Sequence, residues 1–110
     1  MLEHPLALLN TSIITTDGEY TLTTVTLEEA RMQVAAATSL DSAIGHQSTA
    51  DIMTTLLGVQ VETNRQQFVQ QVGQAALVFK LRGRPEEGVV LTAEQIAGIG
   101  YDFKILVRVS

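Results

Sequence analysis

The 110-residue chain contains no cysteine. That excludes disulfides, thiolate zinc sites and cysteine nucleophiles, and it fits a reducing cytoplasm. No apolar run reaches the ~18 residues that a membrane span needs. The first residues lack the charged and continuously apolar regions of a secretory signal, so a cytoplasmic location is expected. Basic residues are few: Lys and Arg number 7 against 12 Asp and Glu, a net charge of -5. This balance argues against broad binding to duplex nucleic acid, where basic surface drives affinity. A small anionic ligand in a local basic pocket stays open. Histidine occurs only at His4 and His46, and no spaced cluster of His, Asp and Glu suggests a metal site. A Walker A loop, a dinucleotide fingerprint, a nucleophile elbow and a glycosidase carboxylate pair are all missing. No metal and no cofactor are expected.

The length suits one domain spanning residues 1–110, large enough to bury a core without staples. Strands and helices alternate along it. Leu6-Ala7-Leu8-Leu9 is a short apolar run, as in a buried strand, and Asn10-Thr11-Ser12 breaks it. Asp17-Gly18 signals a hairpin or tight turn. Tyr20–Val25, rich in β-branched residues, predicts a strand. Thr26 and Glu29 form a capping box for a helix from Leu27 to about Ala37, with Leu27, Ala30, Met32, Val34 and Ala35 as a loose apolar face. Residues 38–45 read as a loop. A second helix starts between His46 and Ser48, where Ser48 and Asp51 resemble a capping box, and it ends at Gly58. Val59-Gln60-Val61 alternates briefly. Ala75–Leu81 is the strongest strand and is placed centrally. Thr92 and Gln95 cap a short helix ending near Gly98, and Tyr101–Val109 reads as a closing strand with period-two alternation. The sum is an α/β or α+β domain with a mixed sheet of about five strands flanked by helices.

The segment Ala43-Ile44-Gly45-His46-Gln47-Ser48-Thr49-Ala50 carries the most chemical information. Imidazole is the one side chain whose ordinary pKa, about 6.5, suits proton transfer at neutral pH. A helix start just beyond it attracts anions through its free N–H groups and its dipole. His46 is therefore either a general acid or base beside a phosphate-sized site, or a histidine that merely caps a helix. Lys80, Arg82 and Arg84 form a positive cluster at a strand end, suited to phosphate or to ordinary surface solvation, with Glu86 and Glu87 as natural partners. Asn64-Arg65 offers base-edge and phosphate contacts. Asn10 and Ser12 follow the first strand, where α/β folds often place ligands.

Ser42–Ala50, then Leu57-Gly58-Val59, Asn64-Arg65 and Arg84-Pro85-Glu86-Glu87-Gly88 together resemble the viral ring nuclease family, the anti-CRISPR proteins of type III systems and their relatives in bacteria, phages and archaeal viruses. The resemblance covers nearly the whole chain. It implies a homodimer that binds cyclic tetra-adenylate across its two-fold interface and linearises the ring without metal, switching off type III CRISPR signalling. A virus-encoded member would act in the host cytoplasm. It also implies His46, Glu87 and Arg84 as catalytic residues, and Asn10, Ser12, Gly45, Arg65 and Arg84 as ligand contacts. No membrane and no stable duplex nucleic acid are expected as partners. Two other classes compete: a non-catalytic dimeric nucleotide- or nucleic-acid-binding protein that sequesters its ligand, and a small structural protein of a mobile element.

Overall fold

The most apolar stretches of the chain lie side by side in the middle of one sheet. A computed structural model describes residues 4–83 and 91–110. Its strands are β1 (Leu6–Leu9), β2 (Tyr20–Val25), β3 (Leu40–Ser42), β4 (Ala75–Leu81) and β5 (Tyr101–Arg108), in spatial order β2-β5-β4-β1-β3. β1 runs parallel to both β3 and β4, whereas β5 is antiparallel to β4 and β2. The expected mixed five-stranded sheet is present, and β4 occupies its centre.

Period-two alternation sends the side chains of β1 to two separate cores. Leu6 and Leu8 join Leu77, Phe79 and Phe103 on one face. Ala7 and Leu9 join Ala76, Val78 and Leu106 on the other. Three helices cover the first face: α1 (Leu27–Ala36), α2 (Gln47–Leu57) and α3 (Ala93–Ile99). Their buried contributions include Ala30 and Val34, Ile52, Met53, Leu56 and Leu57, and Ile96. Phe79, Tyr101 and Phe103 form an aromatic cluster there, with centroids 5.2–5.9 Å apart. Among the described residues, no helix covers the second face. Phe68 and Ile13 from irregular segments, and Tyr20 from the start of β2, pack on it. The longer of these, residues 58–74, is held by side-chain amides. Buried Gln70 donates to the carbonyls of Gln74 and Leu106 at 2.7 and 2.9 Å, and Gln74 donates to that of Pro5 at 2.9 Å.

Both capping boxes form as expected, Thr26 with Glu29 and Thr92 with Gln95. Other expectations are corrected. Residues 38–45 are not all loop, because β1 supplies a parallel partner for Leu40–Ser42. Val59–Val61 has no strand partner. The N-cap of α2 is His46, so Ser48 lies inside the helix, and Asp51 instead accepts from Gln47 Nε2 at 2.8 Å. Asp17-Gly18 makes no hairpin, since β4 and β5 lie between β1 and β2. Gly18 is required there for another reason: a Cβ would collide with the Ser110 carbonyl. On α1, Met32 is 64% exposed, and Ala30 and Val34 alone are buried, one turn apart. β5 shows no alternating burial, because Phe103 and Leu106 sit three residues apart in the two opposite cores.

Phe79 is 1% exposed, and Phe79→Ala should cost about 3–5 kcal/mol through lost burial and the cavity left behind. Met32→Ala should stay within about 0.5 kcal/mol. Urea denaturation of the two variants checks this, and equal costs would contradict the assigned core.

Candidate functional site

In open α/β sheets, ligands bind beyond the carboxyl ends of strands where the strand order reverses. Here that point lies between β1 and β4: the chain passes from β3 through α2 and crosses over β1 to reach β4. A cavity of about 390 Å³ opens there, lined by Asn10, Ser48, Thr49, Ile52, Phe79, Lys80 and Leu81. Its walls are the first residue past β1, the first turn of α2 and the end of β4. The apolar floor of Ile52 and Phe79 belongs to the helix-side core. The rim combines an amide, two hydroxyls and a lysine. A second cavity of about 250 Å³ lies on the helix-free face, lined by Thr11, Ser12, Leu22, Val78, Lys80, Asp102 and Lys104. Lys80 borders both.

Asn10 and Ser12, expected together as ligand contacts, thus open onto different cavities joined at Lys80. His46 is exposed, in extended conformation at φ -125° and ψ 130°, and its side chain makes no capping hydrogen bond. Ser48 and Thr49, which line the larger cavity, follow it in the first turn of α2. The structure also joins Gly45 to Arg65. Arg65 Nε donates to the Gly45 carbonyl at 3.0 Å, and a Cβ on Gly45 would stand 3.4 Å from Arg65 Cγ. A side chain at this position would thus meet the arginine stem at ordinary contact distance. Asn64 donates from its backbone N–H to the Ile44 carbonyl at 2.8 Å and from Nδ2 to that of Ser42 at 3.0 Å. Arg84 and Glu87, the other expected catalytic residues, and Glu86 lie outside the described residues.

The positive cluster divides. Arg82 makes a two-pronged contact with Asp102, Nη2 to Oδ1 at 2.7 Å and Nε to Oδ2 at 3.2 Å. Its charge therefore faces a carboxylate rather than a vacant anion site. Lys80 and Lys104 flank the second cavity, and Lys104 Nζ donates to Thr24 Oγ1 at 3.1 Å. Lys80 is the site residue that sequence reasoning left in a surface cluster. Its signal was positional: a charged residue directly after the buried run Ala76–Phe79 marks the point where the central strand emerges. Ser48 and Thr49 went unassigned because they read as part of a cap.

Hydrogen bonding to Arg82, reinforced by its charge, holds the Asp102 carboxyl below its ordinary value, and the same contact raises Arg82. Because the folded-state value lies below that of the unfolded chain, the pair's contribution to stability is present at neutral pH. It is lost as the pH falls through the folded-state value. A carbon-detected NMR titration should show Asp102 ionising below a typical aspartate, and Arg82→Leu should move it upward. An unchanged midpoint would mean that the contact is absent in solution.

Comparison with known proteins gives a consistent answer. Residues 6–103 match the model of the STIV B116-like family. The uncharacterized protein YddF of Bacillus subtilis (strain 168) is 35% identical over 104 residues, covering 94% of this chain and 96% of that protein. The uncharacterized protein ORF117 of Acidianus two-tailed virus is 36% identical over 109 residues, covering 94% and 93%. Among solved structures, B116 of Sulfolobus turreted icosahedral virus superposes with a TM-score of 0.83 at 25% identity, over 96% of this chain and 100% of that one. With the family model matched over residues 6–103 and relatives about 35% identical over nearly the full length, this chain belongs to the STIV B116-like family.

Proposed function

We propose that this protein is a metal-independent ring nuclease that cleaves cyclic tetra-adenylate to linear di-adenylate ending in a 2′,3′-cyclic phosphate. The observation that carries this reading is the placement of His46. It is an exposed imidazole with no capping bond at the start of α2, two residues before Ser48, which lines a crevice with Asn10, Thr49 and Lys80. The sequence resemblance to viral ring nucleases supports it over the same residues.

The reaction needs no protein nucleophile. A ribose 2′-oxygen attacks the adjacent phosphorus in line, the P–O5′ bond breaks, and the 5′-oxygen takes a proton. Alignment of 2′-O, P and 5′-O supplies much of the rate. His46 as general acid donates the proton to the leaving oxygen. Arg84 and Lys80 are suited to the charge gathering on the phosphoryl oxygens. Arg65 and Asn64 border the same helix start. Glu87 is assigned the partner of His46 by the resemblance.

A ring with repeated nucleotides suits a two-fold dimer, which presents each group twice. The helix-free sheet face is the natural interface. Leu22, 48% exposed, stands in register with buried Leu106 on that face and lines the cavity with Lys80.

Incubation with cyclic tetra-adenylate in EDTA, read by mass spectrometry, should yield the di-adenylate cyclic phosphate. His46→Ala should retain ring binding and lose at least ~10²-fold in rate, the scale of a general acid. Arg84→Ala should weaken binding and slow cleavage together. Binding without cleavage would make the protein a ligand sponge, and inhibition by EDTA would overturn the metal-independent reading. Separately, sedimentation should show a dimer that Leu22→Glu shifts toward monomer, and a monomeric parent protein would remove the two-fold site.

A further inference from the structure

We infer that Ser42 is a positioning residue for His46, and that residues 62–66 act through it as a clamp. The catalytic consequence rests on the ring-nuclease reading, but the structural claim does not.

The His46 side chain makes no capping bond, so the backbone that leads into α2 decides where the imidazole stands. That backbone is Ser42–Gly45, the exit from β3. Ser42 is 9% exposed. Its hydroxyl works in both directions: it accepts from the Ile44 N–H at 3.2 Å and donates to the Glu62 carbonyl at 2.5 Å. The first contact closes a serine turn, a side-chain copy of a backbone turn. The Ser42 carbonyl takes two further donors, Asn64 Nδ2 at 3.0 Å and Gln66 Nε2 at 2.7 Å.

The neighbouring residues complete the frame. The Ala43 N–H donates to the Leu8 carbonyl of β1 at 3.0 Å, the Ile44 carbonyl accepts from the Asn64 N–H at 2.8 Å, and the Gly45 carbonyl accepts from Arg65 Nε at 3.0 Å. Beyond His46, Thr63 Oγ1 donates to Gln47 Oε1 at 2.8 Å. The chain before and after His46 is thus gripped by β1 on one side and by residues 62–66 on the other. Ser42 is the one buried side chain through which both the turn and the clamp pass. Among the described residues, the other buried polar side chains, Gln70 and Gln74, serve the opposite end of the sheet by bonding Leu106 and Pro5. Ser42 does not line the cavity at the start of α2, so it acts through His46.

The test uses the full chain with Ser42→Ala and, from the exposed side, the double variant Asn64→Ala/Gln66→Ala, which removes both donors to the Ser42 carbonyl. NMR relaxation of the His46 ring and hydrogen exchange of the Ile44 amide are measured without ligand. Both variants should loosen the ring, and Ser42→Ala should also expose the Ile44 amide. With saturating cyclic tetra-adenylate, turnover should fall about tenfold to hundredfold, the effect of misplacing a reacting group, and Ser42→Ala should leave ring affinity unchanged. In a His46→Ala background the same substitutions should lower the residual rate no further. If Ser42→Ala does not fold, the double variant decides. An unchanged His46 ring in a folded variant would overturn the inference. A parent protein that leaves the ring intact would instead sink the ring-nuclease reading, and the ring-order measurement would still decide the role of Ser42.

Discussion

Leu6–Leu9 has no exposed side chain, and a strand buried on both faces obliges the chain to supply cover twice. The helices provide it once. Their apolar residues, Ala30 to Ile96, gather over Leu6, Leu8, Leu77 and Phe79. The opposite face, with Ala7, Leu9, Ala76 and Leu106, receives Phe68, Ile13 and the first residue of β2, Tyr20. An irregular segment laid over a sheet must still satisfy its backbone. Residues 58–74 do so with amides and hydroxyls, which explains the density of Gln and Asn in a stretch that looks featureless.

The same segment shapes the site. Because it lies beside β3, it reaches the point where β3 ends and α2 begins. Its side chains occupy the carbonyls of Ser42 and Gly45, and its backbone occupies that of Ile44. A loop joining a strand to a helix, ordinarily free to vary, becomes a rigid mount for His46. Charge is handled locally in the same way. One cation, Arg82, is neutralised by Asp102, while Lys80 stands at the emergence of the central strand and borders two cavities.

The elements legible in advance are those whose signal is local. The capping boxes at Thr26 and Thr92 are short-range hydrogen-bond patterns, and both form. β1 and β4 are apolar runs long enough to announce burial. The elements that were not legible depend on distant partners. Leu40-Asp41-Ser42 carries no strand signal, and it pairs because β1 offers a parallel edge. Ser48 is the better capping residue by chemistry, yet α2 begins earlier, because the frame around Ser42 and Gly45 delivers the chain in helical register at Gln47. β5 hides its alternation because both of its faces are partly covered.

The residue order alone determined a mixed sheet with helices, the helix starts at Leu27 and Ala93, and a likeness to a viral family of this kind. Those follow from contacts within a few residues or from motif spacing. Tertiary structure decided that Asn10 and Ser12 open on opposite faces, that Lys80 stands between them, that Arg82 is held by Asp102, and that Ser42 carries the mount of His46. The reason is separation along the chain. Ser42 meets Glu62, Asn64 and Gln66, and Arg82 meets Asp102, only after the sheet has closed.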